Sequence, residues 1–496
     1  MSDRGDSGTP EIVAGLRGAS RVRIPPSMDV PLTARVRRII DTPPMRRLAS
    51  LSQLGLVALV YPGATHSRQE HSLGVYRAAI DLLNHLGDWR SEVSWIDTTV
   101  DARRGEEAFL VAALVHDAGH WPFCHPIEDM GRSCPIKHER RVESLLCQGP
   151  LAEALRQDWR CNVDDVMAVL CPETWGERVS DGQCGLSQSE TLFWASCLSG
   201  PIDIDKLDYL QRDSLHAGVP YGSHFDPARL TAAFCPHPDE PRLAITTKGR
   251  TAAEMMVFGR YVMFSEVYWH SAVRSATAML QRALFEMSRP SRKEASAEPP
   301  PVSSTGPVDW TEWVDEDDAA WIEAMQNAAR QFGGDSDAAG RAVRGLVDGL
   351  FGASRKLYKR VAEFNVESRP DLHGRLARRP YWWLVQCSTP LAECFSGQLG
   401  RYVDPAEVLI DAPPVKLEVD INIDIVRDGR RTGSLGDVSP VASALADRQF
   451  DSHVKRVRVF VPDSVRRQLR QAGGWTEDRV ADWLDGCIEN LDTQWA

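Results

Sequence analysis

The chain has 496 residues, of which 43% are hydrophobic and 25% are charged, a composition that suits two or three packed domains. Its formal net charge of −12 argues against general nucleic-acid binding, although a local basic pocket for a small anion is compatible with it. The 11 cysteines are scattered between Cys124 and Cys487 without a Cys-x-x-Cys pair, which argues against a disulfide framework or a zinc ribbon. We therefore expect a protein of a reducing compartment, the cytoplasm.

Residues 1–30 are rich in Gly, Ser, Pro and charged residues, which predicts a flexible N-terminal arm. The first residues lack the basic-then-apolar pattern of a signal peptide. No stretch of the chain approaches the roughly 18 uninterrupted apolar residues of a membrane span. We therefore expect a soluble protein without a membrane partner.

Residues 31–287 are predicted to form one helical domain. VALVYPGA at 57–64 predicts a short strand closed by Pro-Gly, and residues 88–105 predict a polar loop. Apolar residues at helical spacing predict helices at 70–87, 106–120, 139–157, 163–170, 188–199, 204–216 and 251–288.

Residues 288–307 have the Pro and Ser content of a linker or disordered loop. They precede a C-terminal region, 308–496, in which 309–366 is predicted to be helical. KLEVDINIDIV and VKRVRVFVP alternate apolar and polar residues at period two, as half-buried strands do. The predicted fold class is therefore mainly α, with a smaller mixed α/β C-terminal region.

Histidines are concentrated in one part of the chain, because seven of the 13 lie between His66 and His138. The densest segment is HDAGHWPFCH, where His116 and Asp117 end a strongly apolar helix and His120 and His125 follow. A His-Asp dipeptide arises by chance about once in such a chain. The position of this pair at the end of a buried helix strengthens the case for a metal site. Two buried polar groups without a partner would cost several kcal/mol, and a metal would offset that cost.

His71 and Asp205 are the candidates for two further metal ligands. His71 begins an amphipathic helix, although a lone histidine there is more often an ordinary surface or core residue. Asp205 recurs with Tyr209, Arg212 and His216 at spacings of four, three and four, which places all four on one helical stripe. The alternative for that stripe is a solvated helix face with intrahelical ion pairs.

These segments together resemble the HD-domain deoxynucleoside triphosphate (dNTP) triphosphohydrolases, especially the branch with the sterile-alpha-motif HD protein and its bacterial relatives. The resemblance covers about two thirds of the chain and rests on RIIDTPPMRRLASLSQLGL, YPGATHSRQEHSLGVY, HDAGHWPFCHPIED, KHE at 137–139, IDIDKLDYLQRDSLHAGV and the segment 260–270. It implies a divalent metal ion (Mg, Mn, Fe, Co or Zn) and a nucleotide substrate.

The resemblance also implies a role for individual residues. The implied metal ligands are His71, His116, Asp117 and Asp205. The implied catalytic residues are His120 and His125, which would face the phosphates, His138 as the proton donor, and Glu128 or Glu139 as the residue that orients it. The implied substrate contacts are Arg68, Lys206 and Arg260 at the phosphates, and Gln53, Tyr209, Asp213 and Tyr268 at the sugar.

Three functions remain open from the sequence. The first is a dNTP triphosphohydrolase that releases deoxynucleoside and triphosphate. The second is an HD phosphohydrolase or phosphodiesterase acting on another nucleotide, and the third is a non-catalytic nucleotide sensor. Retention of His120, His125 and His138 favours catalysis, because a sensor does not need proton-transfer groups beside the ligands. The resemblance further implies a homo-oligomer.

The chain departs from the family pattern at two positions. Trp121 stands where relatives often have a small residue, so we expect a different pocket mouth. Asp41 matches a residue that contacts an activating nucleotide, but Ala49 stands where that branch has a guanidinium. The loss of that charge argues against the same activating site.

Overall fold

The structure is a computed structural model. It describes residues 9–16, 20–26, 28–96, 101–131, 137–180, 183–288, 308–333, 337–377, 379–412, 421–445, 454–473 and 475–495, without the side chains of residues 14–16, 139 and 490–495.

Helices account for most of the described residues. In chain order they are α1 Pro10–Leu16, α2 Ala34–Ile40, α3 Pro43–Arg47, α4 Arg68–Leu86, α5 Ala102–Val115, α6 Cys124–Glu128, α7 His138–Cys147, α8 Gly149–Asp158, α9 Val163–Leu170, α10 Trp175–Ser180, α11 Gln188–Ser199 and α12 Ile204–Ala217. The series continues with α13 Pro227–Thr231, α14 Arg250–Met263, α15 Ser271–Ser288, α16 Asp318–Gln331, α17 Ala338–Phe351, α18 Pro370–Leu376, α19 Tyr381–Leu399, α20 Leu435–Val438, α21 Pro440–Ala444, α22 Asp463–Ala472 and α23 Glu477–Trp495.

The strands form small sheets. They are β1 Arg21–Ile24, β2 Met28–Pro31, β3 Phe234–Pro236, β4 Leu243–Thr246, β5 Lys359–Phe364, β6 Leu409–Asp411, β7 Asp424–Arg427, β8 Arg430–Ser434 and β9 Val457–Val461. β1 and β2 form a hairpin, the order β3-β4-β7-β8 forms a second sheet, and β5-β9-β6 forms a third. Only the β4–β7 pairing is parallel among these described strands. The predicted fold class, mainly α with a smaller mixed α/β C-terminal region, is confirmed.

The chain divides into two compact units, each made of separate segments. The first unit comprises Met1–His120, His138–Met263 and Val419–Ala446, and the second comprises Trp121–Lys137, Phe264–Glu418 and Asp447–Ala496. This division differs from the predicted boundaries at 31–287 and 308–496. The reason is packing that composition does not reveal: β7 pairs with β4 in the first unit, and α15 packs on α17 in the second.

The first unit is built around α4, which packs against both α5 and α12. Residues 107–115 of α5 are all buried, so this helix is covered on every side. Side chains at the helix N-termini satisfy backbone donors there: the Ser67 hydroxyl accepts from the Glu70 N–H at 3.3 Å, and the Asp203 carboxylate accepts from the Lys206 N–H at 2.7 Å. These caps fix where α4 and α12 begin.

The second unit is centred on the sheet β5-β9-β6. Val457, Val459 and Val461 of the central strand are buried in one apolar cluster with residues of α19, α22 and α23. Phe395 of α19 lies in the same cluster and is fully buried. The predicted strand in VKRVRVFVP is thus confirmed at its centre, but its residues are all buried and not half-buried as the alternation indicated.

The predicted flexible arm over residues 1–30 is wrong for the described residues, which form α1 and the β1–β2 hairpin. Glu11 is fully buried and accepts hydrogen bonds from the Thr33 hydroxyl at 2.7 Å and from Arg35 Nε at 2.8 Å. This buried ion pair with Arg35 anchors the segment. The composition of residues 1–30 could not predict it, because composition does not show which residues pair with each other.

The predicted strand at 57–64 is also wrong. Gly55–Leu59 form a 3₁₀ turn in which the N–H of Val57 donates to Leu54 and that of Val60 donates to Val57, at 3.1 and 2.9 Å. Local hydrogen bonds therefore satisfy this backbone, so the apolar run does not need a partner strand.

Two long predicted helices and one predicted helical region are divided. The helix at 139–157 is α7 and α8, separated at Gly149, whose φ is +81°. The helix at 251–288 is α14, a π-helical turn at Phe264–Tyr268, and α15. The region 309–366 contains α16 and α17 but ends in strand β5.

The predicted linker at 288–307 lies outside the described residues, apart from Ser288, which ends α15. In the polar segment 88–105, Trp89–Glu92 form a 3₁₀ turn and α5 already begins at Ala102. Across the described ranges, no helix has the length and apolar character required to cross a bilayer.

Truncating Phe395 tests the core of the second unit. We expect Phe395→Ala to lower the free energy of unfolding by about 3–5 kcal/mol, because it removes a buried ring and leaves a cavity. The control is Tyr402→Ala, whose side chain is 67% exposed, with an expected change within about 0.5 kcal/mol. Chemical denaturation monitored by circular dichroism measures both changes, and equal effects would contradict the assignment of this core.

Candidate metal centre

Three helix ends meet in the first unit. His71 lies in the first turn of α4, His116 caps the C-terminus of α5 with Asp117 directly after it, and Asp205 lies in the first turn of α12. The four predicted metal ligands are therefore brought together, although the blocks that hold them are separated in sequence.

The donor atoms of these four residues face one another. His71 Nε2 lies 3.2 Å from His116 Nε2 and 3.0 Å from Asp205 Oδ1. His116 Nε2 lies 3.4 Å from Asp117 Oδ1 and 3.9 Å from Asp205 Oδ1. A metal about 2.1 Å from each donor places neighbouring donors about 3.0–3.5 Å apart. Most of the measured separations are close to that range.

The outer nitrogens of the two imidazoles are occupied. His116 Nδ1 donates to the Ala113 carbonyl at 2.9 Å, and His71 Nδ1 donates to Asp208 Oδ2 at 2.9 Å. In a neutral ring the hydrogen is then on Nδ1 and Nε2 carries a lone pair. The two Nε2 atoms face each other. Two facing lone pairs repel, whereas a cation between them is stabilised by both.

The charges at the site also favour a cation. Burial opposes protonation of His71, but its contacts with Asp205 and Asp208 raise its pKa to about 10. The pKa of Asp205 is lowered: burial would raise it, but the contact with His71 outweighs that effect. The two carboxylates thus stabilise a positive charge at this point, which a proton or a divalent metal can supply. The donor set fits a divalent metal ion.

Asp117 links the ligands to a basic group. Its Oδ2 accepts a hydrogen bond from Arg68 Nη1 at 2.8 Å, and its Oδ1 lies 3.1 Å from His120 Nε2. Burial would raise the pKa of Asp117, but His120, His116 and Arg68 lower it well below its usual range. Burial and the Arg68 guanidinium lower the pKa of His120 well below its usual value, so His120 is neutral near pH 7.

A second layer of charged groups orients His71. Asp208 is buried and holds Arg212 through two hydrogen bonds, Nε to Oδ2 at 2.8 Å and Nη2 to Oδ1 at 2.7 Å. Arg212 Nη1 also donates to Glu70 at 2.6 Å. Gly74 makes room for this pair, since a Cβ there would lie 1.9 Å from Asp208 Oδ1 and 2.4 Å from Arg212 Nη2. Paired carboxylates of this kind fix the orientation and basicity of a metal-ligating histidine.

The predicted proton donor lies beside His120. His138 begins α7, and its ring stacks on that of His120 with centroids 4.0 Å apart. Both residues belong to the first unit. The side chain of Glu139 lies outside the described part of the chain.

The predicted phosphate contacts in the first unit are Arg68, Lys206 and Arg260. Arg68 is buried against Asp117. The Lys206 ammonium pairs with Asp203 and donates to the Gly200 carbonyl at 2.9 Å. Arg260 is half-buried in the last turn of α14 and lies close enough to Lys206 to oppose its charge.

The predicted sugar contacts of the first unit are Gln53, Tyr209 and Asp213. Burial raises the pKa of the Tyr209 phenol, which therefore stays protonated near neutral pH. Asp213, one turn later on α12, is buried and accepts from His66 Nε2 at 2.9 Å. The Gln53 side-chain oxygen is buried and has no hydrogen-bond partner among the described residues.

Three predicted site residues belong to the second unit. His125 and Glu128 lie on α6, with His125 Nδ1 4.0 Å from Glu128 Oε2. Tyr268 ends the π-helical turn and its ring contacts Phe264 edge-on, with centroids 5.0 Å apart. Trp121, which departs from the family pattern, is in the same unit and is 1% exposed.

Three residues that the sequence analysis did not single out line the candidate site: His66, Glu70 and Asp208. Asp208 follows Asp205 by three positions on α12, a spacing that could have indicated a second carboxylate near the same helix end. His66 and Glu70 gave no such signal, because their partners lie 147 and 142 residues away.

Sequence comparison identifies relatives of this chain. Residues 225–299 match the family described as the HD-associated region. The uncharacterized protein YwfO of Bacillus subtilis is 32% identical over 247 residues, which is 50% of this chain and 50% of that protein. The deoxynucleoside triphosphate triphosphohydrolase SAMHD1 of Gallus gallus is 33% identical over 218 residues, 39% of this chain and 33% of that protein. The chain thus spans about half the length, or less, of these relatives.

Solved structures share the fold over most of the chain. A hypothetical protein from Aquifex aeolicus superposes with a TM-score of 0.61 at 22% identity and covers 91% of this chain and 99% of its own. A phosphohydrolase from Bacteroides thetaiotaomicron gives a TM-score of 0.59 at 21% identity, with 89% and 99% covered. At these identities the likeness establishes the fold alone. The sequence relatives confirm the resemblance drawn from the motifs: this chain is related to the HD-domain proteins that include the dNTP triphosphohydrolases.

Proposed function

We propose that this chain is a metal-dependent phosphohydrolase that converts a dNTP into deoxynucleoside and triphosphate. The observation that carries the proposal is the convergence of the donor atoms of His71, His116, Asp117 and Asp205. Two buried nitrogen-bearing side chains, Arg68 and His120, lie beside them. The hydrolase character is further supported by the similarity to SAMHD1, and the choice of a dNTP rests on that relative and on the predicted sugar contacts.

His71, His116, Asp117 and Asp205 would hold the metal. When bound, a divalent ion would supply Lewis-acid activation of a phosphoryl oxygen and of water. Asp208 keeps the His71 ring in the tautomer whose Nε2 is free to ligate, and the Ala113 carbonyl does the same for His116.

Arg68 and His120 would act on the phosphates. The Arg68 guanidinium keeps a fixed orientation because Asp117 holds one of its nitrogens. A fork-shaped cation with further N–H groups suits binding of phosphate oxygens. Because the His120 ring is neutral, it contributes a hydrogen bond, and the proton for the leaving oxygen is assigned to His138, which stacks on it.

Gln53, Tyr209 and Asp213 would form the sugar pocket, with the Asp213 carboxylate accepting from the 3′-hydroxyl. Tyr209 and Asp213 lie one turn apart on α12, so a phenol and a carboxylate are presented side by side.

Product analysis tests the activity. We expect the purified protein with Mn²⁺, Mg²⁺, Fe²⁺ or Co²⁺ to release deoxynucleoside and intact triphosphate from at least one dNTP, and to lose this activity when a chelator removes the metal. Chromatography of the nucleosides and phosphorus NMR of the inorganic product measure both. Pyrophosphate or orthophosphate alone would indicate another HD phosphohydrolase, and nucleotide binding without any product would indicate a sensor.

Substitution of Asp205 tests the ligand set. We expect Asp205→Ala to remove bound metal and to reduce activity by at least about 100-fold, because the site loses a charged ligand. The helical circular dichroism should be largely retained. The control is Asp81→Ala on the outer side of α4, where the carboxylate is 42% exposed and pairs with Arg77. Unchanged metal stoichiometry in Asp205→Ala would show that the ligand assignment is wrong.

Asp208→Asn tests the orientation of His71. We expect metal affinity to fall by about 10–100-fold, since the amide no longer provides the charged acceptor for His71 Nδ1. Titration of the metal-free protein by calorimetry measures the affinity. Asp81→Asn serves as the matched control, and equal affinities in the two variants would contradict the role of Asp208.

A further inference from the structure

His66 lies in a short loop that packs against the end of α12. The loop is held by an isolated bridge between Ser52 and Ser67, and the Gln53 N–H donates to the His66 carbonyl at 2.9 Å. Gly63 permits the close approach, because a Cβ at this position would lie 2.6 Å from the His216 carbonyl oxygen. These contacts place the His66 ring against the last turns of α12.

Two contacts fix the ring of His66. Its Nε2 lies 2.9 Å from Asp213 Oδ1, and both side chains are almost fully buried, at 0% and 3% exposure. The ring stacks on His216 with centroids 4.3 Å apart and planes 15° apart. His216 is itself held by Glu70, with Nε2 2.9 Å from Oε1. These contacts hold His66 in one orientation, in which its Nε2 is directed at Asp213 Oδ1.

The hydrogen-bonding atoms of His66 and Gln53 indicate what kind of ligand these two side chains can bind. A carboxylate oxygen accepts, so His66 Nε2 carries the hydrogen and Nδ1 of a neutral ring is an acceptor. Nδ1 of His66 and Oε1 of Gln53 are both buried, and neither has a partner among the described residues. Buried acceptors are normally satisfied, so a ligand or a water with hydroxyl donors is expected beside them.

We propose that His66 is a positioning residue that aims Asp213 at the sugar 3′-hydroxyl and so determines selectivity for a substrate that has this hydroxyl. The proposal rests on the proposed function and adds to it a residue outside the metal ligands and the predicted substrate contacts. Without the His66 hydrogen bond, the buried Asp213 carboxylate loses a donor and can turn away from the sugar.

The test compares a dNTP with its 2′,3′-dideoxy analogue. For the wild type we expect the KM of the dideoxy analogue to be at least about tenfold higher, because the pocket's acceptors lose their donor. His66→Asn should raise the KM of the dNTP about tenfold and change that of the dideoxy analogue less than about twofold, with kcat largely retained. His66→Gln, whose amide nitrogen can replace Nε2, should restore most of the selectivity.

A matched control is His85→Asn on α4, whose ring bonds to the Phe234 carbonyl at 2.9 Å, and selectivity should be unchanged there. Circular dichroism establishes that the variants fold. His66→Phe, which keeps the stacked ring without its nitrogens, provides the same comparison if the Asn variant does not fold. An equal rise in both KM values, or a loss confined to kcat, would overturn the proposal.

Failure of the proposed function has a different signature. If the wild type turns over no dNTP, calorimetric binding of the same two nucleotides to the metal-loaded protein replaces KM. A tenfold binding preference that His66→Asn abolishes then supports His66 without the hydrolase. Equal binding of both nucleotides by the wild type overturns the His66 proposal as well.

Discussion

The arrangement of the first unit depends on a cluster of carboxylates, two of them buried, that requires a cation. Asp205 and Asp208 both contact His71, and Asp117 lies beside His116. Desolvated carboxylates at such separations are costly unless positive charge lies between them. Arg212 compensates Asp208 and Arg68 compensates Asp117, which leaves Asp205 facing the two imidazole nitrogens.

This distribution of charge separates structural and chemical roles. Asp208, Arg212 and Glu70 form a network in which every charge has a partner within the protein, so it can hold the ligands in place. The donor atoms of His71, His116 and Asp205 instead face a common point. A site of this construction holds its donor atoms rigidly in an arrangement that suits a divalent metal ion.

The sequence predicted the parts of the site that depend on local pattern. His116 follows a strongly apolar stretch and Asp205 begins an amphipathic one, so each helix end was visible in the periodicity, and the structure brings them together. The roles of Asp208 and His66 were not visible, because each depends on which ring nitrogen faces which partner across more than 130 residues of chain. The predicted flexible arm failed for a similar reason, since the partner of Glu11 is Arg35, beyond the segment whose composition was judged.

The interleaved segments of the two units have a consequence for folding. Strand β4 at Leu243–Thr246 pairs in parallel with β7 at Asp424–Arg427. The sheet β3-β4-β7-β8 therefore cannot be completed until residues synthesised long after β4 are available. During synthesis on the ribosome, β4 therefore presents an unpaired edge while the intervening segments of the second unit emerge. Pairing across so long a loop is slow, and a nascent chain arrested before β7 would expose a strand edge that can pair with other chains.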